Sequence, residues 1–334
     1  MIQVLKHPDA ELQIEVLPDE RKLLTVKPLR PALFISRKSI TTTYPDELIE
    51  LIFTVKGPSH VCDEIARDED PNYVRLMLET DLLAYFPREY FSGKRILDFG
   101  CGSGASTMIL HRLFPQATII GIELDPQLLS IAKARAKHYA FPESQLLQSP
   151  SGAEIPSRLG KVDCVVMSGV YQCMLPAERE AVLPRLWAVI NDNGVLFLNQ
   201  TPHRYTPVDT STTGLPLINY LPASIAHRAV CRFSKRTALD TTSWTALLRA
   251  GIRGATEYEV LTILRHTSDG HPVLLNPSGE GIHDRIDLWF RTSVQARWPL
   301  IKRALRMGYK TIKLCTGLTL VPSLSLAVQK QSLS

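Results

Sequence analysis

The chain has 334 residues, with 45% hydrophobic and 21% charged side chains and a net charge of +5. That balance excludes a disordered, collagenous or coiled-coil protein, and the length suits one insertion-bearing domain or two smaller ones. No apolar run reaches the roughly 20 residues that a membrane-crossing helix needs. The first residues mix Lys6, Asp9, Glu11 and Glu15 with apolar ones and lack a secretory pattern, so the expected location is cytoplasmic. Six scattered cysteines, with no C-x-x-C pair, argue against a disulfide scaffold or a zinc knuckle.

Charge is unevenly placed. Eight basic residues and no acidic one follow Asp287, which leaves residues 1–287 at a net −3. A basic arm on a mildly acidic body argues against a nucleic-acid footprint over the whole chain.

In chain order, residues 1–40 read as strand-like, with a hairpin turning at Pro18-Asp19-Glu20. Residues 44–90 read as helices. Pro45 opens one, and Asn72 is placed to cap another that runs to Tyr85. From residue 94 strands and helices alternate. Strands are predicted at 95–99, 117–122, 145–147, 162–167 and 195–198, and helices at 106–113, 125–138 and 176–190. Near-continuous apolar strands between helices imply a parallel sheet covered on both faces. Thr201 to Pro222 reads as a Pro- and Thr-rich loop. Residues 244–266 are helical in part, interrupted near Gly251 and Gly254, and 272–275 and 324–328 supply two final strands.

The chemistry concentrates at Asp98-Phe99-Gly100-Cys101-Gly102-Ser103-Gly104, between a strand and a helix. Ligands of open α/β sheets bind there, where glycines allow a tight turn and helix N–H groups point outward. Glu123 ends the next strand, placed to accept hydrogen bonds from ribose hydroxyls. The run also fits the G-x-G-x-x-A dinucleotide form, so a nicotinamide-dependent oxidoreductase is an alternative. Three features favour S-adenosylmethionine: Asp98 two residues before the first glycine, helices that precede the motif, and the small-residue turn Ser168-Gly169 at the end of the fourth strand.

Arg95 to Gly104, Ile120 to Asp125 and Val162 to Met174 together resemble class I S-adenosylmethionine-dependent methyltransferases. The resemblance implies an α/β, Rossmann-like seven-stranded sheet with a reversed last strand and helices on both faces. Around it are expected an N-terminal hairpin and helical lid (1–90), a core (91–276), and a basic amphipathic helix with a final strand (277–334). It implies S-adenosyl-L-methionine as cofactor, with Asp98, Gly100, Cys101, Gly102 and Gly104 toward the methionine part. Glu123 and Leu124 would meet the ribose side, with Ser149 and Ser168 nearby. Two departures stand out. The loop at 148–154 lacks the acid that many relatives place near adenine, and Gln172-Cys173 replaces Glu-His after the fourth strand.

The expected reaction is methyl transfer to a small-molecule acceptor, an oxygen of a sugar- or lipid-linked metabolite. Alternatives are a carbon acceptor on an isoprenoid-type ring and a silent cofactor-binding protein. His203 is the candidate general base and Tyr171 the candidate wall of the methyl channel. Arg303, Arg306, Lys310 and Lys313 form a basic stripe opposite Ile301, Leu305, Gly308 and Ile312. Residues 300–313 could thus touch an anionic membrane, or pack on the domain with the basic face in solvent.

Overall fold

The computed structural model describes residues 2–30, 33–236, 241–279, 281–293 and 299–332. It begins with a four-stranded antiparallel meander of β1 (Ile2–Lys6), β2 (Ala10–Val16), β3 (Lys22–Pro28) and β4 (Ser39–Thr42). The expected hairpin is its β2–β3 pair, with Ile14 opposite Leu24. Alternation puts Leu12, Ile14, Leu24 and Val26 on one face. That face packs on α1 (Asp46–Lys56), α2 (Val61–Glu69) and Ile131 of α5 (Pro126–His138).

The next helix departs from the prediction. Asp70, not Asn72, supplies the cap, accepting the Asn72 N–H at 3.0 Å. A wide turn at Pro71–Arg75, with Tyr73 outside helical geometry, precedes α3 (Leu76–Leu83).

The central sheet has seven strands. They are β5 (Arg95–Phe99), β6 (Thr118–Glu123), β7 (Leu146–Gln148), β8 (Val162–Ser168), β9 (Ile190–Pro202), β10 (His271–Leu274) and β11 (Ser323–Gln331). Their order is β10-β11-β9-β8-β5-β6-β7. Pairs among β5 to β9 are parallel, while β11 runs antiparallel to both β9 and β10. An all-parallel dinucleotide fold has no such reversed strand. The expected class I methyltransferase sheet is therefore present. Asn191 to Gly194, which resembles a turn, lies instead inside β9, where the register against β8 shifts.

Side chains of one sheet face, including Leu97, Val165, Leu196 and Leu326, pack on α6 (Pro176–Val189) and α9 (Glu257–Arg265). The other face, including Ile96, Val166 and Phe197, packs on α3, α4 (Ala105–Leu113) and α5. Three further helices are α7 (Ala223–Phe233), α8 (Trp244–Arg249) and α10 (Arg285–Thr292), of which α8 falls in the partly helical 244–266 stretch and the other two were not predicted from sequence. The first two enclose a small core of their own around Ile218, Val230, Leu247 and Ile252.

α11 (Pro299–Thr316) is inverted relative to both sequence readings. Its basic stripe faces α10. Arg306 and Lys310 bond the Asp287 carboxylate, and Lys313 reaches Asp284 at 3.0 Å. Leu300, Ile301, Leu305, Met307, Ile312 and Leu314 are exposed. A nearly buried Asp287 draws the cations inward, and the apolar face turns out.

Candidate cofactor and acceptor site

The strands β5, β6, β8 and β9 all end on one edge, and the reversed β11 begins there, with Ser323 opposite Pro202. The loop after β5 forms the floor of this edge. The Gly100 and Cys101 N–H groups both donate to the Ile122 carbonyl, at 2.8 and 2.9 Å, which ties the loop to β6. Gly102 has φ +56°, and a Cβ added to it would project into open space. Gly104 has φ +85°, and a Cβ there would sit 2.8 Å from that of Ala132. The first glycine leaves room for a ligand, and the second lets α4 lie against α5.

Glu123 is the hub. Its Oε2 accepts the Gly102 N–H at 2.7 Å, and its Oε1 accepts those of Leu124 and Asp125 at 2.8 and 2.9 Å. A carboxylate fixed by three backbone donors lies beside the glycine loop, with one acceptor site left on Oε2 for a further donor. Leu124 follows with an exposed side chain, a flat apolar surface beside that carboxylate. Cys101 is buried, and burial pushes its thiol pKa well up, so it packs as an apolar group.

Asp98 lies one layer deeper than expected. It is buried, with Oδ2 accepting the hydroxyls of Ser106 and Thr107 at 2.6 Å each. Burial pushes its pKa up to about 6 against these hydrogen bonds. It stiffens the start of α4. Ser149 donates to the carbonyls of Ser151 and Glu154, at 2.9 and 2.7 Å, so its hydroxyl shapes the 149–154 loop. Ser168 ends β8 opposite Asn199.

The two catalytic candidates are placed differently from the expectation. The His203 Nδ1 accepts the Tyr205 N–H at 3.1 Å. Burial, with the nearby charge of Arg285, pushes its pKa down to about 4. With Nδ1 occupied, the proton of the neutral ring resides on Nε2, which makes the ring a donor and a weak base. Tyr171 is fully buried. Its hydroxyl donates to Glu259 at 3.0 Å, and the Arg179 guanidinium lies 4.5 Å from its ring centre. Both residues brace the loops around the site.

Three polar residues at this edge escaped the sequence reading. Asn199 is wholly buried, and neither its amide oxygen nor its nitrogen has a partner among the described residues. Gln200, next to it, has a left-handed backbone (φ +55°) and a buried, unpartnered Nε2. Asp81 of α3 is wholly buried with both oxygens unpartnered. Ser325, in the β11 bulge that faces Asn199 and Gln200, neighbours Asp81. Buried polar groups without protein partners are uncommon in folded proteins, and each calls for an ordered water, an ion or a ligand to complete its bonding. The only sequence signal was a polar pair, Asn199-Gln200, at the end of an apolar strand.

These features fit S-adenosylmethionine: a backbone cradle open at Gly102, a fixed carboxylate, and buried polar groups across the edge. Residues 97–196 match the family described as a methyltransferase domain. Over residues 97–196 the chain thus carries a methyltransferase domain, set in a seven-stranded sheet with the reversed β11 of the class I fold. Among named relatives, a trans-aconitate 2-methyltransferase of Azoarcus sp. (strain BH72) is 31% identical over 125 residues, 37% of this chain and 45% of that protein. One from Yersinia pseudotuberculosis serotype O:1b (strain IP 31758) is 42% identical over 69 residues, 21% of this chain and 26% of that protein. The chain thus matches less than half the length of these curated relatives. A solved plantazolicin methyltransferase, bound to a desmethyl substrate analogue and S-adenosylhomocysteine, aligns over 86% of this chain and 97% of its own, at 14% identity and a TM-score of 0.46.

Proposed function

We propose that the protein is an S-adenosylmethionine-dependent methyltransferase acting on an oxygen of a small molecule. The carrying observation is Glu123, fixed by three backbone N–H groups beside a glycine loop that is open at Gly102. The bound cofactor would supply an electrophilic methyl group. Glu123 would hold its ribose, with Leu124 against the neighbouring ring and the backbone of Gly100 to Gly104 along the methionine part. Asp98 acts through Ser106 and Thr107 by holding that loop in shape. Asn199 and Gln200 would orient the acceptor, because the Asn199 amide and the Gln200 Nε2 at the sheet edge have no partner among the described residues. Alignment of the acceptor within about 3–3.5 Å of the methyl carbon is the main catalytic contribution expected of such a site. His203 and Tyr171 keep positioning roles, through Tyr205 and Glu259.

Calorimetric titration with S-adenosylhomocysteine, NAD and NADP tests this reading. Wild type is expected to bind only the homocysteine compound, and Glu123→Ala to weaken it at least roughly tenfold, the size of a lost charge-assisted hydrogen bond. Binding of a nicotinamide nucleotide instead would overturn the proposal.

We also propose that α11 meets an anionic membrane surface. Its exposed apolar residues support this, together with five cations on the helix against the two carboxylates, Asp284 and Asp287, that face them.

A further inference from the structure

A cavity of about 550 Å³ lies between α6, α8 and α9 and the loop after β9. Its size is that of a small-molecule pocket. Three arginines line it: Arg179, which is paired with Glu259, and Arg204 and Arg253. The Arg204 guanidinium has no hydrogen-bond or ion-pair partner among the described residues. Arg253 donates to the Leu221 carbonyl, but its Nε is buried and unpartnered. Burial, together with the charge of Arg204 on the same wall, pushes the pKa of Arg253 down. Like charges held together at a cavity wall, with donors unspent, are stabilised by an anion.

The acids on the wall do not serve that need. Glu259 is taken by Arg179 at 2.9 Å and by the Tyr171 hydroxyl. Glu180 is exposed at the rim. The remaining lining supplies flat apolar surface. Trp244 stacks under the Arg253 guanidinium at 5.1 Å, and Tyr205 and Tyr258 present largely exposed rings. Ile252 and Leu248 close the base. An Arg pair with aromatic walls selects a molecule that has an oxyanion at one end and a planar or apolar body.

We infer that this cavity binds a carboxylate- or phosphate-bearing small molecule, with its oxyanion between Arg204 and Arg253 and its body against Trp244, Tyr205 and Tyr258. As the anionic end of the acceptor, this ligand would rest on the methyltransferase reading above. The pocket's affinity for oxyanions does not.

The test uses the full chain and two probes, benzoate and phenyl phosphate, titrated calorimetrically. At least one is expected to bind wild type, and the tighter of the two identifies the oxyanion. Arg204→Gln is expected to weaken it at least roughly tenfold. Arg204 makes no side-chain contact that the fold needs, so S-adenosylhomocysteine binding by Arg204→Gln should match wild type and report that the variant is folded. Equal probe affinity in wild type and Arg204→Gln would overturn the inference. So would a lack of heat from both probes at about 1 mM, the weak limit for a specific small-ligand site. Failure of S-adenosylhomocysteine to bind wild type, with phenyl phosphate still binding through Arg204, would sink the methyltransferase reading alone.

Discussion

Asp81 shows how a single side chain can combine cost and use. Burial pushes its pKa from 3.8 to about 7, and neighbouring Ser325 offsets only part of that. The folded state therefore holds a proton on Asp81 that the unfolded chain releases near pH 4. Between those two values the native state binds more protons, so stability falls as pH rises. A shift of this size corresponds to roughly 4 kcal/mol, fully expressed only above about pH 7. Asp81→Asn keeps the shape of the protonated acid and removes the titration. The variant is expected to match wild type near pH 4 and to be more stable at pH 8, as measured by urea unfolding at both. Equal stability at pH 8 would show that the pKa of Asp81 is not raised in the folded state, its carboxylate being solvated there. His203 makes the complementary point. With its pKa near 4, it stays neutral across the physiological range and gives no break in a pH–rate profile.

α11 is the element whose sequence pattern most misled. An amphipathic repeat ordinarily buries its apolar stripe. Here Asp284, which caps α10, and Asp287 on α10 bind Lys313, Arg306 and Lys310, and the apolar stripe faces outward. No local periodicity carries that information, because the acids lie on another helix. The glycine loop is the opposite case. The strand β5, the turn and α4 are contiguous, and Glu123 follows one strand later, so all were readable from short-range order. The pairing of Arg204 with Arg253, and of Asp81 with the end of β9, depends on chain closure over long separations. It could not be read from spacing. For α11 the expected behaviour is co-sedimentation with phosphatidylglycerol-containing vesicles at low salt, weakened by salt as exposed charges are screened. Leu314→Glu with Met307→Glu should abolish it without changing S-adenosylhomocysteine affinity. Equal sedimentation of the variant would remove the membrane role.

Besides the apolar packing on Ile131, a buried polar cluster joins Tyr44 and α2 to the central α/β core. Arg135 of α5 is wholly buried. It donates to the Ser103 carbonyl and hydroxyl at 2.8 Å each, to the Glu64 carbonyl at 2.7 Å and to the Tyr44 hydroxyl at 3.0 Å. Glu64 also takes the Ser103 hydroxyl and lies 3.1 Å from Arg135. Tyr44 bonds Asp68, which also pairs with Arg112 at 2.5 Å. The cluster thus connects the chain after β4, α2 and α5 to Ser103, a residue of the cofactor loop. The N-terminal unit holds the glycine loop in place through Arg135 and Glu64, and not only by covering it. Removing one partner of a buried pair leaves an uncompensated charge and costs about 3–5 kcal/mol, whereas removing both costs much less. Arg135→Met is therefore expected to lose roughly that much stability in urea unfolding and to weaken S-adenosylhomocysteine binding, because Ser103 is released. Arg135→Met with Glu64→Gln should recover part of the stability, while the binding defect persists. Recovery of both together would mean that the cluster serves only to stabilise the fold, and that the loop is held by its own bonds to Ile122 and Glu123.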